Sequence, residues 1–479
     1  MIRDAAAVLA ANACFLAAGV GLSRALGLWS LPGELPRVLG IAYMVGAAAI
    51  GVLATLGLIA GLALTAWQVL LACAVLAALG FVGRGGALAP GLSSTGVARM
   101  LVLGIGALLG VYLAALLVRS YAEPLRHWDA WSFWTAKARA IVTLDGLDAR
   151  YFAGDAYQVL HRDYPLFVPS LEAIDFRFMG RITTQVIHLQ FWCLLVGFLA
   201  ATAQLLRDRI HPLLLWPPLL LVAVAPSVAT QLGWAIGELP LAFFFALAAL
   251  AGWRYVEDGD TRYAALLGIF AAAALATKRE AIPFAAALFL LLALFALLRG
   301  TRLRPVLWAA AVALVGLVPW RIWVAAHHVG PKELPLGKSF DPGWLFGRTE
   351  RLPPALERLA VDAVRPSAWI VILPLAVVAA AVALRRGRGN VGAFLLALLA
   401  LMFVSLLWAY WADIPEIQGH ARRTAPRVVT TELVLAGVFL PLLGASLAAA
   451  QTRARRAATR GTAARPTSAR TPTRARTTP

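Results

Sequence analysis

Residues 391–411 read VGAFLLALLALMFVSLLWAYW, a run without a single charged side chain. As an α-helix, a run of about 20 such residues spans the hydrocarbon layer of a bilayer, which is about 30 Å thick. Similar runs rich in Leu, Ala and Val recur along the chain. They do not alternate between apolar and polar residues, as the strands of a membrane barrel do. The runs therefore predict an all-α bundle of transmembrane helices.

The composition agrees with this prediction. Of the 479 residues, 61% are apolar and only 14% are charged, which leaves more apolar surface than one soluble core needs. The formal charge of +19 comes from basic residues that lie between apolar runs or in the C-terminal tail. We therefore interpret these residues as topology signals and expect no nucleic-acid partner.

Thirteen apolar runs qualify as candidate helices, three in residues 1–98 and ten in a second unit, residues 99–450. The sequence thus predicts a polytopic bundle of about 13 helices. The runs cover approximately 5–22, 38–62, 64–82, 100–118, 186–206, 212–230, 238–256, 263–276, 281–298, 305–325, 369–384, 391–411 and 428–450.

Short arginine-rich loops predict the orientation of the bundle. If the helices alternate in direction, these loops share one side, which the positive-inside rule assigns to the cytoplasm. The tail, residues 451–479, is rich in Arg, Thr, Ala and Pro, so we expect a disordered basic cytoplasmic segment. It either contacts anionic lipid or, as we favour, only anchors the topology. The loop arginines are Arg207, Arg209, Arg299, Arg302, Arg304, Arg385, Arg386 and Arg388.

Two long segments, about 119–185 and about 326–367, then face outward. The first contains aromatic and apolar residues at helical spacing from Trp128 to Ile141, which is typical of an interfacial helix lying on the membrane. A plain aromatic belt is the alternative. The second segment contains a short amphipathic stretch at 356–364.

Four stretches resemble the polytopic membrane glycosyltransferases of the GT-C superfamily, close to the protein O-mannosyltransferase and aminoarabinose-transferase group (glycosyltransferase family 39-like). They are WDAWSFWTAKARAI (128–141), HRDYPLFVPSLEA (161–173), GELPLAFF (237–244) and TKREA (277–281). The resemblance covers residues 100–450 and leaves out the first three helices. It implies transfer of a sugar from a polyprenyl-phosphate carrier at the outer loops.

The resemblance implies a catalytic base at Asp129, the acid that opens the first outer loop. Displacing a lipid phosphate from a sugar requires such a base and cations that hold the departing phosphate. Helix N-capping is the alternative role for Asp129. Family members often carry two adjacent acids here, whereas this chain has Ala130 after Asp129, so Asp163 is the second catalytic candidate and Glu238 a third acid.

Cations on the outer side are the candidates for holding phosphate. Lys278 and Arg279 interrupt an apolar stretch, where charges are costly unless they line a wet cavity or are paired. A solvated turn neutralised by Glu280 is the alternative. Arg321 is a further candidate.

The stretch QGHARRTAPR (418–427) contains Arg422, Arg423 and Arg427 and is a second choice for donor binding, although the positive-inside rule tolerates such loops. His161 and Tyr164 complete the candidate substrate-binding set.

The acids also suit a divalent cation such as Mg²⁺ or Mn²⁺. This signal is weak because His161 is a lone histidine, which more often hydrogen-bonds within its own loop. We therefore assign no metal ligands and no certain cofactor. The sequence has no phosphate-cradling glycine loop and no nucleotide fold, which favours a lipid-linked donor.

We therefore expect an inverting glycosyltransferase in a bacterial inner or plasma membrane, with its site on the extracytoplasmic side and membrane lipids around it. The acceptor is left open among protein, lipid and cell-wall glycan. A polytopic transporter or lipid flippase is the main alternative, and it would place ionisable residues in mid-helix. An inactive scaffold is a third interpretation.

Overall fold

The computed structural model describes residues 1–83, 85–154, 161–329, 338–386, 390–413 and 416–463, with side chains described up to residue 448. Within these ranges the chain forms helices and no strand, so the all-α prediction is confirmed there. The helices are α1 Ile2–Ala25, α2 Leu39–Ile59, α3 Ala66–Val82, α4 Gly96–Ala122, α5 Thr135–Thr143, α6 Ala149–Ala153, α7 Phe167–Met179, α8 His188–Leu206, α9 Pro212–Val224, α10 Pro226–Leu232, α11 Glu238–Asp258, α12 Thr261–Leu275, α13 Ala281–Arg299, α14 Arg304–Val315, α15 Val318–Ala326, α16 Pro342–Phe346, α17 Leu352–Val364, α18 Pro366–Trp369, α19 Ile372–Arg385, α20 Asn390–Ala412, α21 Ile417–Val428 and α22 Thr430–Ala463.

Nine helical segments of the described ranges are long and apolar enough to cross a membrane. The predicted count of about 13 is not confirmed. The other four predicted runs are one bent helix pair and the three shorter helices α3, α12 and α19, which fall below the roughly 20 residues that a span needs. The nine segments are Ile2–Ala25, Leu39–Ile59, Gly96–Ala122, His188–Leu206, Glu238–Asp258, Ala281–Arg299, Arg304–Ala326, Asn390–Ala412 and Ile417–Ala448.

The bent pair is α9 and α10, which meet at 54°. Pro226 begins α10, and proline has no backbone N–H to continue the hydrogen-bond ladder of the preceding helix. The single run predicted at 212–230 is therefore broken at Ala225.

Helix α11 is the centre of the bundle. The apolar part of α11 is buried on all sides, whereas α4 is mostly exposed on the outside of the bundle. A helix that is apolar on all faces is stable only when other helices surround it or lipid does. Helices α8, α12, α13 and α22 pack around α11.

The first three helices pack against the rest of the bundle. A buried hydrogen-bond cluster joins α1 and α2 to α8: Asn12 Nδ2 donates to Gln190 Oε1 at 3.0 Å, and Tyr43 Oη donates to Asn12 Oδ1 at 2.6 Å. Arg181 also binds Asp4. The N-terminal region that lies outside the resemblance is thus continuous in space with the region inside it.

Two of the arginine-rich loops, those that carry Arg209 and Arg299, meet at one end of the bundle. Arg209 Nη1 lies 2.7 Å from Glu257 Oε2, and Arg299 Nη1 lies 3.9 Å from Glu257 Oε1. Glu257 is near the end of α11, and a helix of that length is about 30 Å long. Glu238, at the start of α11, therefore lies about 30 Å from these arginines, at the opposite end.

The outer segments are helical in part. The first contains a π-helical turn, Ala130–Trp134, followed by α5, α6 and α7, and the second contains α16–α18 with a helix at the predicted amphipathic stretch. The last helix continues to Ala463, into the segment for which the sequence predicts disorder. The rest of that tail, residues 464–479, lies outside the described residues.

Candidate active-site cavity

A cavity of about 510 Å³ opens among the start of α13, the end of α20, helix α21 and the first outer segment. Seven of the ten residues predicted for the site line it, together with residues that the prediction missed. The predicted ones are Asp129, His161, Tyr164, Glu238, Lys278, Arg279 and Arg321.

Asp129 is held by an arginine. Its Oδ2 accepts a hydrogen bond from Arg427 Nη1, and Arg427 Nε lies 3.8 Å from Glu238 Oε1. The Asp129 side chain makes no N-cap hydrogen bond to the π-helical turn that follows it. The capping alternative is therefore not observed. Such π turns are frequent at functional sites, because they redirect side chains within a helix.

Lys278 is buried between two carboxylates. Its Nζ lies 3.2 Å from Glu238 Oε1 and 3.0 Å from Glu280 Oε1. Burial by itself lowers the pKa of Lys278, but the two carboxylates outweigh it, so the pKa is raised. Burial likewise opposes ionisation of Glu280, yet Lys278 keeps the pKa of Glu280 below its ordinary value. The solvated-turn alternative is therefore wrong about solvation, although Glu280 does neutralise Lys278.

Asp163 does not line the cavity and lies behind two of its cations. It is 2% exposed, and its Oδ2 lies 3.0 Å from Arg279 Nη1 and 3.7 Å from Arg321 Nη1. Trp320 Nε1 also donates to the Asp163 carbonyl oxygen at 2.9 Å. Asp163 thus orients both arginines toward the cavity, whereas the sequence suggests it as a second catalytic acid.

A buried lysine fixes the His161–Tyr164 turn on the cavity wall. Lys137 Nζ donates to the carbonyl oxygens of His161 at 2.6 Å and Tyr164 at 3.1 Å. Burial lowers the pKa of Lys137 to about 7 and that of His161 to about 3. The Arg279 guanidinium stacks 4.8 Å above the Tyr164 ring. Tyr164 thus supports a cation on the wall.

One face of helix α21 borders the cavity. Arg427 lines it, whereas Arg422 and Arg423 are exposed and do not. Arg427 stands one turn after Thr424 and two turns after His420, and both of these also line the cavity. This spacing puts the three side chains on one helical face, and Arg422 falls on the opposite face.

Further polar groups occupy another part of the wall. Tyr410 Oη and Thr424 Oγ1 are 2.6 Å apart, and His420 Nε2 lies 3.3 Å from Asp413 Oδ2. Neither Tyr410 nor this His–Asp pair was among the predicted residues. They lie on α20 and α21, on either side of residues 414–415, which are outside the described residues.

Most of the remaining wall is apolar. It includes Ile282, Pro283 and Phe284 from α13, Leu406 and Trp408 from α20, and Phe340 from the second outer segment. Indole groups attach that segment to α20, since Trp411 Nε1 donates to the Leu345 carbonyl at 2.8 Å and Trp344 Nε1 to the Ala412 carbonyl at 3.1 Å. The cavity therefore joins a charged wall to an apolar one.

Among the described residues, no three His, Cys, Asp or Glu side chains are grouped to hold a metal ion. No family model, curated protein or solved structure matches the chain.

Proposed function

We propose that the protein is a membrane glycosyltransferase, which transfers a sugar from a polyprenyl-phosphate donor to an extracytoplasmic acceptor with inversion at the anomeric carbon. The observation that carries this proposal is that a cationic wall and an apolar wall adjoin in one cavity. The apolar wall comes from α13 and α20, and the cations beside it are Lys278, Arg279, Arg321 and Arg427.

A polyprenyl phosphate has the same two-part chemistry. Its anionic head pairs with guanidinium and ammonium groups through charge-assisted hydrogen bonds, and its hydrocarbon chain gains free energy by leaving water for an apolar wall. A soluble nucleotide sugar has no hydrocarbon chain that could bind an apolar wall between membrane helices. This match favours a lipid-linked donor over a nucleotide-linked one.

The proposed reaction is a single displacement. The acceptor hydroxyl attacks the anomeric carbon, Asp129 takes the hydroxyl proton, and the bond from the anomeric carbon to the phosphate oxygen breaks with its electron pair staying on the phosphate. The cations stabilise the negative charge that builds on the leaving phosphate, which is the largest electrostatic demand of the step. One displacement inverts the configuration.

We place the cavity on the extracytoplasmic face of a bacterial inner or plasma membrane. The support is the distance of about 30 Å between Glu238 and the arginine cluster at the other end of α11, since arginine-rich loops favour the cytoplasm. Surrounding membrane lipids are the other partners. A divalent cation remains a hypothesis; among the acids that the sequence predicts, Asp129 and Glu238 border the cavity.

A transporter or lipid flippase is the alternative. In such proteins the broken helices form the substrate site. None of the described residues of the bent pair α9–α10 lines this cavity. This placement favours the transferase.

The test offers purified protein in lipid nanodiscs a panel of polyprenyl-phosphate sugars, with wild type compared to Asp129→Asn. The proposal predicts that wild type removes the sugar from at least one donor and that Asp129→Asn is slower by at least about 100-fold. If no donor is consumed and none binds, the transferase is refuted and the transporter is favoured.

A further inference from the structure

Each cation on the cavity wall is already paired with a carboxylate. Lys278 contacts Glu238 and Glu280, Arg279 and Arg321 contact Asp163, and Arg427 contacts Asp129 and Glu238. Four cations and four carboxylates give this group no formal net charge. A phosphate that enters the cavity must therefore compete with carboxylates of the protein for its cations.

The pairs differ in how readily they can open. Asp163 is 2% exposed, and removing its arginines would leave a buried charge without a counter-ion, which is strongly unfavourable. Asp129 has the largest exposed fraction of the carboxylates that pair with Arg427, at 20% against 6% for Glu238. Water can therefore solvate Asp129 when its arginine leaves.

Arg427 also lies at the border between the two walls. The next residue in the chain, Val428, belongs to the lining as an apolar group, and α21 ends there. A phosphate whose hydrocarbon chain lies along the apolar wall is thus placed next to Arg427. The other arginines of this helix, Arg422 and Arg423, are exposed and do not line the cavity.

We infer that Asp129 occupies the phosphate position on Arg427 in the empty protein and gives up this arginine when the lipid phosphate binds. The inference rests on the proposed function and assigns Arg427 as a phosphate ligand. Once released, Asp129 is free to accept the proton from the acceptor hydroxyl. Asp129 is therefore paired with Arg427, and is not available as a base, until the donor binds.

A double-mutant cycle tests this exchange by binding alone. A polyprenyl phosphate without sugar is titrated into nanodiscs that contain wild type, Asp129→Asn, Arg427→Gln or the double variant. Removing the internal competitor should tighten binding about five- to tenfold, and Arg427→Gln should weaken it by at least about tenfold. In the Arg427→Gln background, Asp129→Asn should change the Kd by less than about twofold.

Matched controls separate local competition from bulk charge. Arg423→Gln removes the same charge from the exposed face of α21, and Glu357→Gln removes an exposed acid from α17. Both should leave the Kd unchanged. Polyprenol and inorganic phosphate, each alone, should bind far more weakly, and inorganic phosphate that binds as tightly as the lipid would overturn the lipid assignment.

Two results overturn the exchange. In the first, Asp129→Asn leaves the Kd at the wild-type value. In the second, it tightens binding equally in the Arg427→Gln background, which means that Asp129 only repels the phosphate. If Arg427→Gln does not fold, the single variant Asp129→Asn, which leaves Glu238 beside Arg427, decides the case. Failure of wild type both to bind polyprenyl phosphate and to transfer sugar refutes the proposed function itself, whereas binding without an Asp129 effect refutes only the exchange.

Discussion

Lys278→Met provides a direct test of the charged wall. Lys278 Nζ lies 3.0 and 3.2 Å from oxygens of Glu280 and Glu238, and both side chains of the Lys278–Glu238 pair are 6% exposed. Methionine keeps much of the side-chain volume but leaves two carboxylates close together without their cation. Removing one partner of a buried ion pair costs about 3–5 kcal/mol, so we expect the free energy of unfolding to fall by about that amount.

The measurement is reversible denaturation of the purified protein in detergent, with Lys278→Met/Glu238→Gln as the partner variant. Glu238→Gln removes one of the two acids that lose Lys278, and because Arg427 Nε lies 3.8 Å from Glu238 Oε1, this change should restore only part of the loss. Lys338→Met is the matched control, because Lys338 is exposed and its ammonium lies 4.8 Å from the centre of the Trp344 ring, so its cost should stay below about 1 kcal/mol. A Lys278→Met cost as small as that of the control, or no recovery in the double variant, would refute the buried cluster.

Three further outcomes follow from the described contacts. The pKa of Lys137 falls from 10.5 to about 7 on burial, so between these pH values the unfolded chain binds more protons than the folded one. The unfolding free energy of wild type, measured relative to that of Lys137→Met, should therefore rise from about pH 7 to pH 10. A difference between the two proteins that does not change with pH would contradict the burial of a charged Lys137. Gly237→Ala would place a Cβ 2.7 Å from the Trp134 ring, so it should lower the free energy of unfolding by about 1–3 kcal/mol, as measured by denaturation. Gly110→Ala is the control, because its Cβ meets nothing within 4 Å and the free energy of unfolding should not fall. Trp411→Phe loses the hydrogen bond to the Leu345 carbonyl, so it should lower the unfolding free energy by about 1 kcal/mol and speed proteolysis near residue 345. An unchanged rate of proteolysis would show that this indole does not hold the second outer segment on α20.

The apolar runs could be predicted from the sequence because burial in lipid requires apolar side chains on every face of a helix. The number of membrane-spanning helices could not be predicted in the same way. Helices α3, α12 and α19 are apolar but short, and composition alone does not decide whether such a helix crosses the membrane. The break at Ala225 had a local signal in Pro226, which the count of runs ignored.

The cations and acids of the cavity could be found for a similar reason. Lys278 and Glu238 interrupt or begin apolar runs, where an unpaired charge is costly, so their presence alone marks a polar site. Which cation meets which acid depends on contacts between segments far apart in the chain, such as Arg427 with Asp129. No spacing rule gives such a pair. Arg427 lines the cavity, whereas Arg422 and Arg423 of the same basic stretch do not, because a cluster of charges in the sequence gives no position on a helix.

Sugar release from a polyprenyl-phosphate donor by wild type, Arg427→Gln and Arg423→Gln, in the same nanodiscs, tests most directly whether the cavity performs the transfer. Both substitutions remove one positive charge from α21, but only Arg427 lines the cavity. We predict that Arg427→Gln loses at least about 100-fold in rate, as expected when a group that stabilises the departing charge is removed, and that Arg423→Gln keeps the wild-type rate. Equal rates for the two variants would contradict the assignment of the reaction to this cavity.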